Sequence, residues 1–285
     1  MIVPSTDGVR IAVHDLGGTA SALLVSHATG FHGRCYLPLA DELADDVHSI
    51  AFDYRGHGDT VRPEGPIDWQ RYGDDALAMA MWLAEREGGP IDAFGHSMGG
   101  ACLLMAAHRH PSLFRRIIAF EPIVFPPQGL EEATGDPADN LMVAGAMRRR
   151  ANFPSYAAAI ENFAAKRPLN GFTPAALDAY VRYGFALDDP TEPDGPVHLK
   201  CAPETEAGTF ATGHAHGTWA ALPEIHTEVL VVAGRIEPMQ PSRIAEAVAE
   251  QLPNGRYLQR DELDHFGPMT HPAEMAEIVR EELRR

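Results

Sequence analysis

Short apolar runs punctuate the first 122 residues. Residues 9–16 alternate apolar and polar positions, the period-two signature of a half-exposed strand. Residues 22–25, 49–52, 91–94 and 117–120 are instead short, largely apolar runs, interrupted only by Ser49 and Asp92, and each is followed by a polar residue or a glycine. Runs of that length without alternation suit strands buried on both faces, as in a parallel sheet. Between the runs, Trp69, Tyr72, Ala76, Met79, Ala80 and Leu83 repeat at three- and four-residue spacing, which predicts a helix with Asp68 as its N-cap. Ala101, Leu104, Met105 and His108 predict a second helix that stops before Pro111. Strand–helix alternation of this kind builds βαβ units. It predicts an α/β fold, a mostly parallel central sheet with helices on both faces.

The pattern changes after residue 126. Helical periodicity predicts helices over 138–150, 155–166 and 173–187, the last with Pro174 at its first position. A loop rich in Pro, Asp and Gly covers 188–196, and convincing strands are few. Sheet-like sequence resumes at 229–233, followed by a helix over 242–252, a strand around Tyr257 and Leu258, and a helix over 272–283. The chain therefore divides into a core formed by 1–125 and 223–285 and a helical cap, or lid, inserted at 126–222.

Composition narrows the function. The 285 residues carry a formal net charge of −17. That excess argues against nucleic-acid partners and anionic membrane surfaces, both of which call for surplus Lys and Arg. The longest apolar stretch, 76–84, is about half a membrane span. The N-terminus has no basic start followed by an apolar run, so no secretory signal is expected there. Cys35, Cys102 and Cys201 are odd in number and widely spaced, which suits a reducing compartment and leads to the expectation of a cytoplasmic protein. A small-molecule substrate is the expected partner, and self-association stays open.

The chemistry concentrates at Gly95-His96-Ser97-Met98-Gly99-Gly100, a G-x-S-x-G segment that follows an apolar run and precedes a helical pattern. At such a strand-to-helix turn a serine is held outward at the carboxyl edge of the sheet, and the flanking glycines avoid clashes a Cβ would cause. A serine hydroxyl needs a base and an oxyanion site to attack a carbonyl. His265, just beyond the last strand-like segment, is the expected base. Glu237, directly after 229–233, is the expected acid that orients it, with Glu121 as the alternative. The backbone N–H groups of Thr29, in the loop after 22–25, and of Met98 are the expected oxyanion donors. Phe31, Tyr36, His96, Phe125 and Trp219 are candidates for contact with substrate, and Cys35 for the pocket wall. His214 and His216 resemble half of a metal site, but no third ligand has matching spacing, so neither a metal nor an organic cofactor is expected. Arg148, Arg149 and Arg150 read as a solvated helix end.

Taken together, HATGFHG at 27–33, DYRGHGDT at 53–60, GHSMGG at 95–100, GRIEP at 234–238 and DHFGP at 264–268 make the chain resemble the α/β-hydrolase superfamily over nearly its whole length. The resemblance implies a structural role for Asp53, Arg55 and Thr60, a cap where the helical insertion lies, and an acid at Glu237, which matches G-x-x-D-P with Glu for Asp. Ala28 departs from the usual glycine of the oxyanion loop. The activity implied is that of a serine esterase acting on a small or medium neutral, apolar ester or lactone through an acyl-enzyme. The same triad also serves C–C hydrolases and cofactor-free perhydrolases or haloperoxidases, and the fold can serve as a small-molecule receptor.

Overall fold

The computed structural model describes residues 1–127, 140–238 and 240–285. Its main sheet has eight strands: β1 (Ile2–Pro4), β2 (Arg10–Asp15), β3 (Ala22–Ser26), β4 (His48–Phe52), β5 (Ile91–His96), β6 (Phe114–Phe120), β10 (Glu228–Ala233) and β11 (Gly255–Gln259). They lie in the order β1-β2-β4-β3-β5-β6-β10-β11. β1 and β2 join antiparallel at one edge, and every pairing from β4 to β11 is parallel.

The largely apolar runs are explained by burial on both faces. Leu24, Ile117 and Val231 pack on one side against α2 (Trp69–Glu87), α3 (Met98–Arg109) and α9 (Ser242–Gln251). Their chain neighbours Leu23, Ile118 and Val232 pack on the other against α1 (Leu37–Glu42) and α11 (Pro272–Leu283). Asp68 caps α2 as expected, accepting from the Gln70 N–H at 2.9 Å. Two elements carry too little periodicity to be read from sequence: the three-residue edge strand β1 and the six-residue helix α1.

Between β6 and β10 lie α4 (Leu141–Met147), α5 (Tyr156–Ala164), α6 (Pro174–Gly184), α7 (Pro203–Thr212) and α8 (Thr218–Ala221). The same region holds a small antiparallel sheet, β7 (Asn152–Phe153), β9 (Val197–Leu199) and β8 (Phe185–Leu187), which the sequence pattern did not predict. The helix expected over 173–187 is capped by Thr173 and starts at Pro174, but ends at Gly184. Its last three residues pair with β9 instead, because Phe185 is buried between Phe153 and Phe163. Of the helix expected over 138–150, residues 138 and 139 lie outside the described residues; α4 covers Leu141–Met147, capped by Asn140, and the helix ends at Arg148 rather than continuing to 150.

The short α10 (Gly267–Thr270) leads from the β11 loop into α11. Among the described residues, no helix is long and apolar enough to cross a membrane.

Candidate active site

The turn between β5 and α3 presents Ser97 at φ 56° and ψ −115°, a strained conformation for a residue with a side chain. The neighbouring glycines make it feasible. A Cβ on Gly99 would lie 2.1 Å from the Ser26 carbonyl oxygen, and one on Gly95 would lie 2.7 Å from the Gly100 Cα. The Ser97 N–H donates to the Phe120 carbonyl at 2.9 Å, continuing the β5–β6 ladder in which His96 faces Phe120. Residues 97 and 121 therefore stand side by side at the ends of adjacent strands.

Glu121 also has a positive φ, 46°. Its buried carboxylate is held at both oxygens: Oε1 accepts from the Gly234 N–H at 2.8 Å, and Oε2 meets His265 Nδ1 at 2.6 Å. The structure thus brings Glu121, not Glu237, to His265. Glu237 is exposed and pairs with its near neighbour Arg235, whose Nε lies 3.0 Å from Oε1. The reason is strand order. β6 adjoins β5, the strand of the serine, whereas β10 is one strand farther out. The loop after β10 still contributes, since its Gly234 supplies the N–H on Glu121.

His265 sits in a self-tied loop. Asp264 accepts from the Phe266 N–H at 2.9 Å and from Thr270 Oγ1 at 3.0 Å. The His265 ring centroid lies 4.9 Å from that of His96, the residue before Ser97. Ser97 Oγ makes no hydrogen bond among the described residues, and catalytic contacts of this kind commonly close only with substrate.

Thr29 and Met98 are both buried, and neither N–H has a hydrogen-bond partner among the described residues. Thr29 belongs to a turn closed by the Phe31 N–H on the Ala28 carbonyl, 3.2 Å, with Gly30 at φ +77°. Positive φ at the third turn position is the type II geometry that selects glycine.

The inserted helices press on this turn. Arg149, after α4, bonds to Glu206 of α7 and to the Tyr180 hydroxyl of α6. A Cβ on Gly30 would lie 2.4 Å from Glu206 Oε1 and 3.2 Å from an Arg149 nitrogen. The solvated helix end expected for 148–150 therefore holds for Arg148 and Arg150 but not for Arg149, whose charge is recruited inward by Glu206. Gly30→Ala combines that clash with an unfavourable φ. It is expected to lower kcat/KM at least about tenfold, part of the roughly 10²-fold lost with a whole oxyanion donor. Steady-state kinetics on a variant with unchanged circular dichroism checks this.

The substrate-contact candidates separate into two sets. Phe31 packs with Phe172 and Phe266 at centroid distances of 6.1 and 6.0 Å, an aromatic wall joining the Thr29 turn to the His265 loop. Phe172 is one of many aromatic residues in 126–222 that the sequence does not tell apart, and Phe266 adjoins the expected base. Phe125 and Trp219 line a cavity of about 160 Å³ together with His214 and His216. Tyr36, His96 and Cys35 are fully buried. Their polar atoms bind other protein atoms instead: Tyr36 Oη meets His96 Nδ1 at 2.8 Å, and Cys35 Sγ meets His32 Nε2 at 3.2 Å.

Other polar clusters are closed by hydrogen bonds within the protein. His216 spends Nδ1 on Thr218 Oγ1 and Nε2 on the Ile123 carbonyl, at 2.6 and 2.9 Å. Asp53 is engaged by His14 and by the Gly33 and Asp59 N–H groups, at 2.8, 2.7 and 2.7 Å. Arg55 forks onto Asp75, and Thr60 Oγ1 accepts from the Ala12 N–H.

A sequence model of the alpha/beta hydrolase family matches residues 22–278. Among curated proteins, 2-(acetamidomethylene)succinate hydrolase of Mesorhizobium japonicum is 31% identical over 104 residues, 36% of either chain. The type I acyl-CoA thioesterase mpaH of Penicillium roqueforti is 24% identical over 268 residues, 89% of this chain and 58% of its own. Human monoglyceride lipase is 32% identical over 111 residues, 38% of this chain and 37% of the lipase. The matched regions thus span 58% or less of these relatives' lengths. Of the solved structures, E-2-(acetamidomethylene)succinate hydrolase superposes with a TM-score of 0.81 at 22% identity, covering 100% of this chain and 99% of that one. A thermophilic esterase from Thermogutta terrifontis gives 0.70 at 20% identity, covering 100% and 97%. At these identities the likeness concerns the fold.

Proposed function

The chain belongs to the alpha/beta hydrolase family, and from that premise we propose that it is a serine hydrolase cleaving small or medium neutral, apolar esters or lactones through an acyl-enzyme. The observation that carries the reading is the buried Glu121 carboxylate on His265 Nδ1, next to the strained Ser97. Glu121 keeps the proton on Nδ1, so Nε2 presents a lone pair to Ser97 Oγ. Oγ attacks the carbonyl carbon while Nε2 takes its proton. The new oxyanion lies between the free N–H groups of Thr29 and Met98. The C–O bond then breaks, and the leaving alkoxide takes the proton from Nε2. Water repeats the sequence to free the acid.

The aromatic wall of Phe31, Phe172 and Phe266 favours an apolar group beside the reacting carbonyl. Residues 126–222 act as the cap, supplying Phe172 to that wall. A serine-directed phosphonate is expected to add one label, on the peptide bearing Ser97, and to leave Ser97→Ala unlabelled. Labelling of both proteins at the same rate sinks the assignment. A panel of neutral and anionic chromogenic esters, with a matched thioester, then ranks substrates; faster turnover of the anionic members at low salt overturns the neutral preference.

A further inference from the structure

Tyr36 and His96 form a chain of hydrogen bonds that the chemistry above does not use. The Ala28 N–H lies 3.1 Å from Tyr36 Oη, Tyr36 Oη lies 2.8 Å from His96 Nδ1, and His96 Nε2 lies 2.8 Å from the His265 carbonyl oxygen. Every direction in this chain is determined. A carbonyl oxygen only accepts, so His96 Nε2 carries a hydrogen. Burial, reinforced by His265, holds the His96 pKa well below that of an ordinary histidine, so Nδ1 is bare. Nδ1 must therefore accept from the Tyr36 hydroxyl, whose oxygen accepts in turn from Ala28.

The two ends of the chain are the two parts of the machinery that must stay in register. At one end, the Ala28 carbonyl accepts from His27 Nδ1 at 2.8 Å and from the Phe31 N–H at 3.2 Å. The planar Ala28–Thr29 peptide carries the Thr29 N–H on the side opposite that carbonyl. Fixing Ala28 at its N–H and its C=O therefore aims the Thr29 N–H. At the other end, the bond to the His265 backbone holds the loop that carries the base.

Resting on the serine hydrolase reading, we infer that Tyr36 and His96 are positioning residues that tie the oxyanion turn to the His265 loop across the end of β5. They touch no reacting atom. Their contribution is the alignment of Thr29 with His265, and a misplacement of about 1 Å at such a site costs on the order of 10²-fold in rate.

The test is Tyr36→Phe, which removes one hydroxyl and keeps the ring against Phe94. Measured well below its melting temperature, it is expected to lower kcat and the phosphonate labelling rate in parallel, by about tenfold or more. KM is expected to stay within about threefold, since the substrate wall is untouched. A variant with a lower melting temperature but unchanged kcat and labelling rate overturns the inference. Loss of labelling in the wild type would instead overturn the serine hydrolase reading, so the two failures are distinct. Nitrogen-15 spectroscopy of the wild-type imidazoles gives a measurement that does not depend on the variant folding. His96 is expected as the neutral Nε2–H tautomer from pH 5 to 8, and an Nδ1–H tautomer or a protonated ring in that range overturns the relay.

Discussion

Glu121→Gln is expected to lower turnover by about 10⁴-fold, and Glu237→Gln to leave it within about twofold. The amide is nearly isosteric, so the fold should persist, but it has one acceptor oxygen where the carboxylate has two. Glu121 faces two N–H donors, Gly234 at 2.8 Å and His265 Nδ1 at 2.6 Å. If the Gln oxygen serves Gly234, its NH₂ faces the imidazole and selects the tautomer protonated at Nε2. That tautomer cannot take the Ser97 proton. The developing imidazolium also loses its counter-charge. Glu237 is an exposed partner of Arg235, and exposed pairs contribute under about 1 kcal/mol. Kinetics on both variants, purified and checked by circular dichroism, decide the matter. The reverse ranking would return the acid to Glu237.

Why the sequence favoured Glu237 can be stated physically. Glu121 and Glu237 both follow a strand and precede a proline, and local pattern cannot tell which strand adjoins the serine strand. That is a property of the sheet order. A usable signal was nonetheless present: 91–96 and 114–120 are consecutive strands, and consecutive parallel strands commonly pair, which would have put residue 121 beside residue 97. The places of Ser97 and His265 were legible because each lies in the loop that follows a strand of the sheet. The central strands were legible because burial on both faces leaves a largely apolar run. Tyr36, just after the 27–33 loop, and His96, beside Ser97, read as substrate contacts because proximity along the chain is visible in sequence, while the direction of a side chain is not. Arg149 was misread for a similar reason. Its partners Glu206 and Tyr180 are distant in the chain, and a charged residue after a helix looks solvated until a buried acid is found opposite it.

Acidification from pH 7 to 5 is expected to remove roughly 5–10 kcal/mol of stability, a large share of what a domain of this kind possesses. Five buried histidines carry the effect. Burial pushes His27 down to about 3 and His32, His57 and His216 down to about 4, and holds His96 well below the usual range. In the native state these rings stay neutral at pH 5, whereas in the unfolded chain each takes a proton as the pH falls through about 6.5. Proton uptake by the unfolded state alone favours unfolding. The loss therefore begins near pH 6.5, grows by up to about 1.4 kcal/mol per histidine per pH unit, and saturates only as each folded-state value is passed. Asp53 extends the loss to lower pH. Burial alone would raise its pKa, but the His14 contact outweighs that and holds it low, so its stabilisation disappears only below the usual carboxylate range. The urea midpoint measured at pH 7, 6 and 5 checks the slope, and an unchanged midpoint at pH 5 would contradict it. His57 offers the sharpest control, because its Nε2 is buried without a hydrogen-bond partner among the described residues. His57→Phe removes the 3.2 Å bond from Nδ1–H to the Arg55 carbonyl, a cost that is the same from pH 8 to 5, and should reduce the acid slope by about one proton.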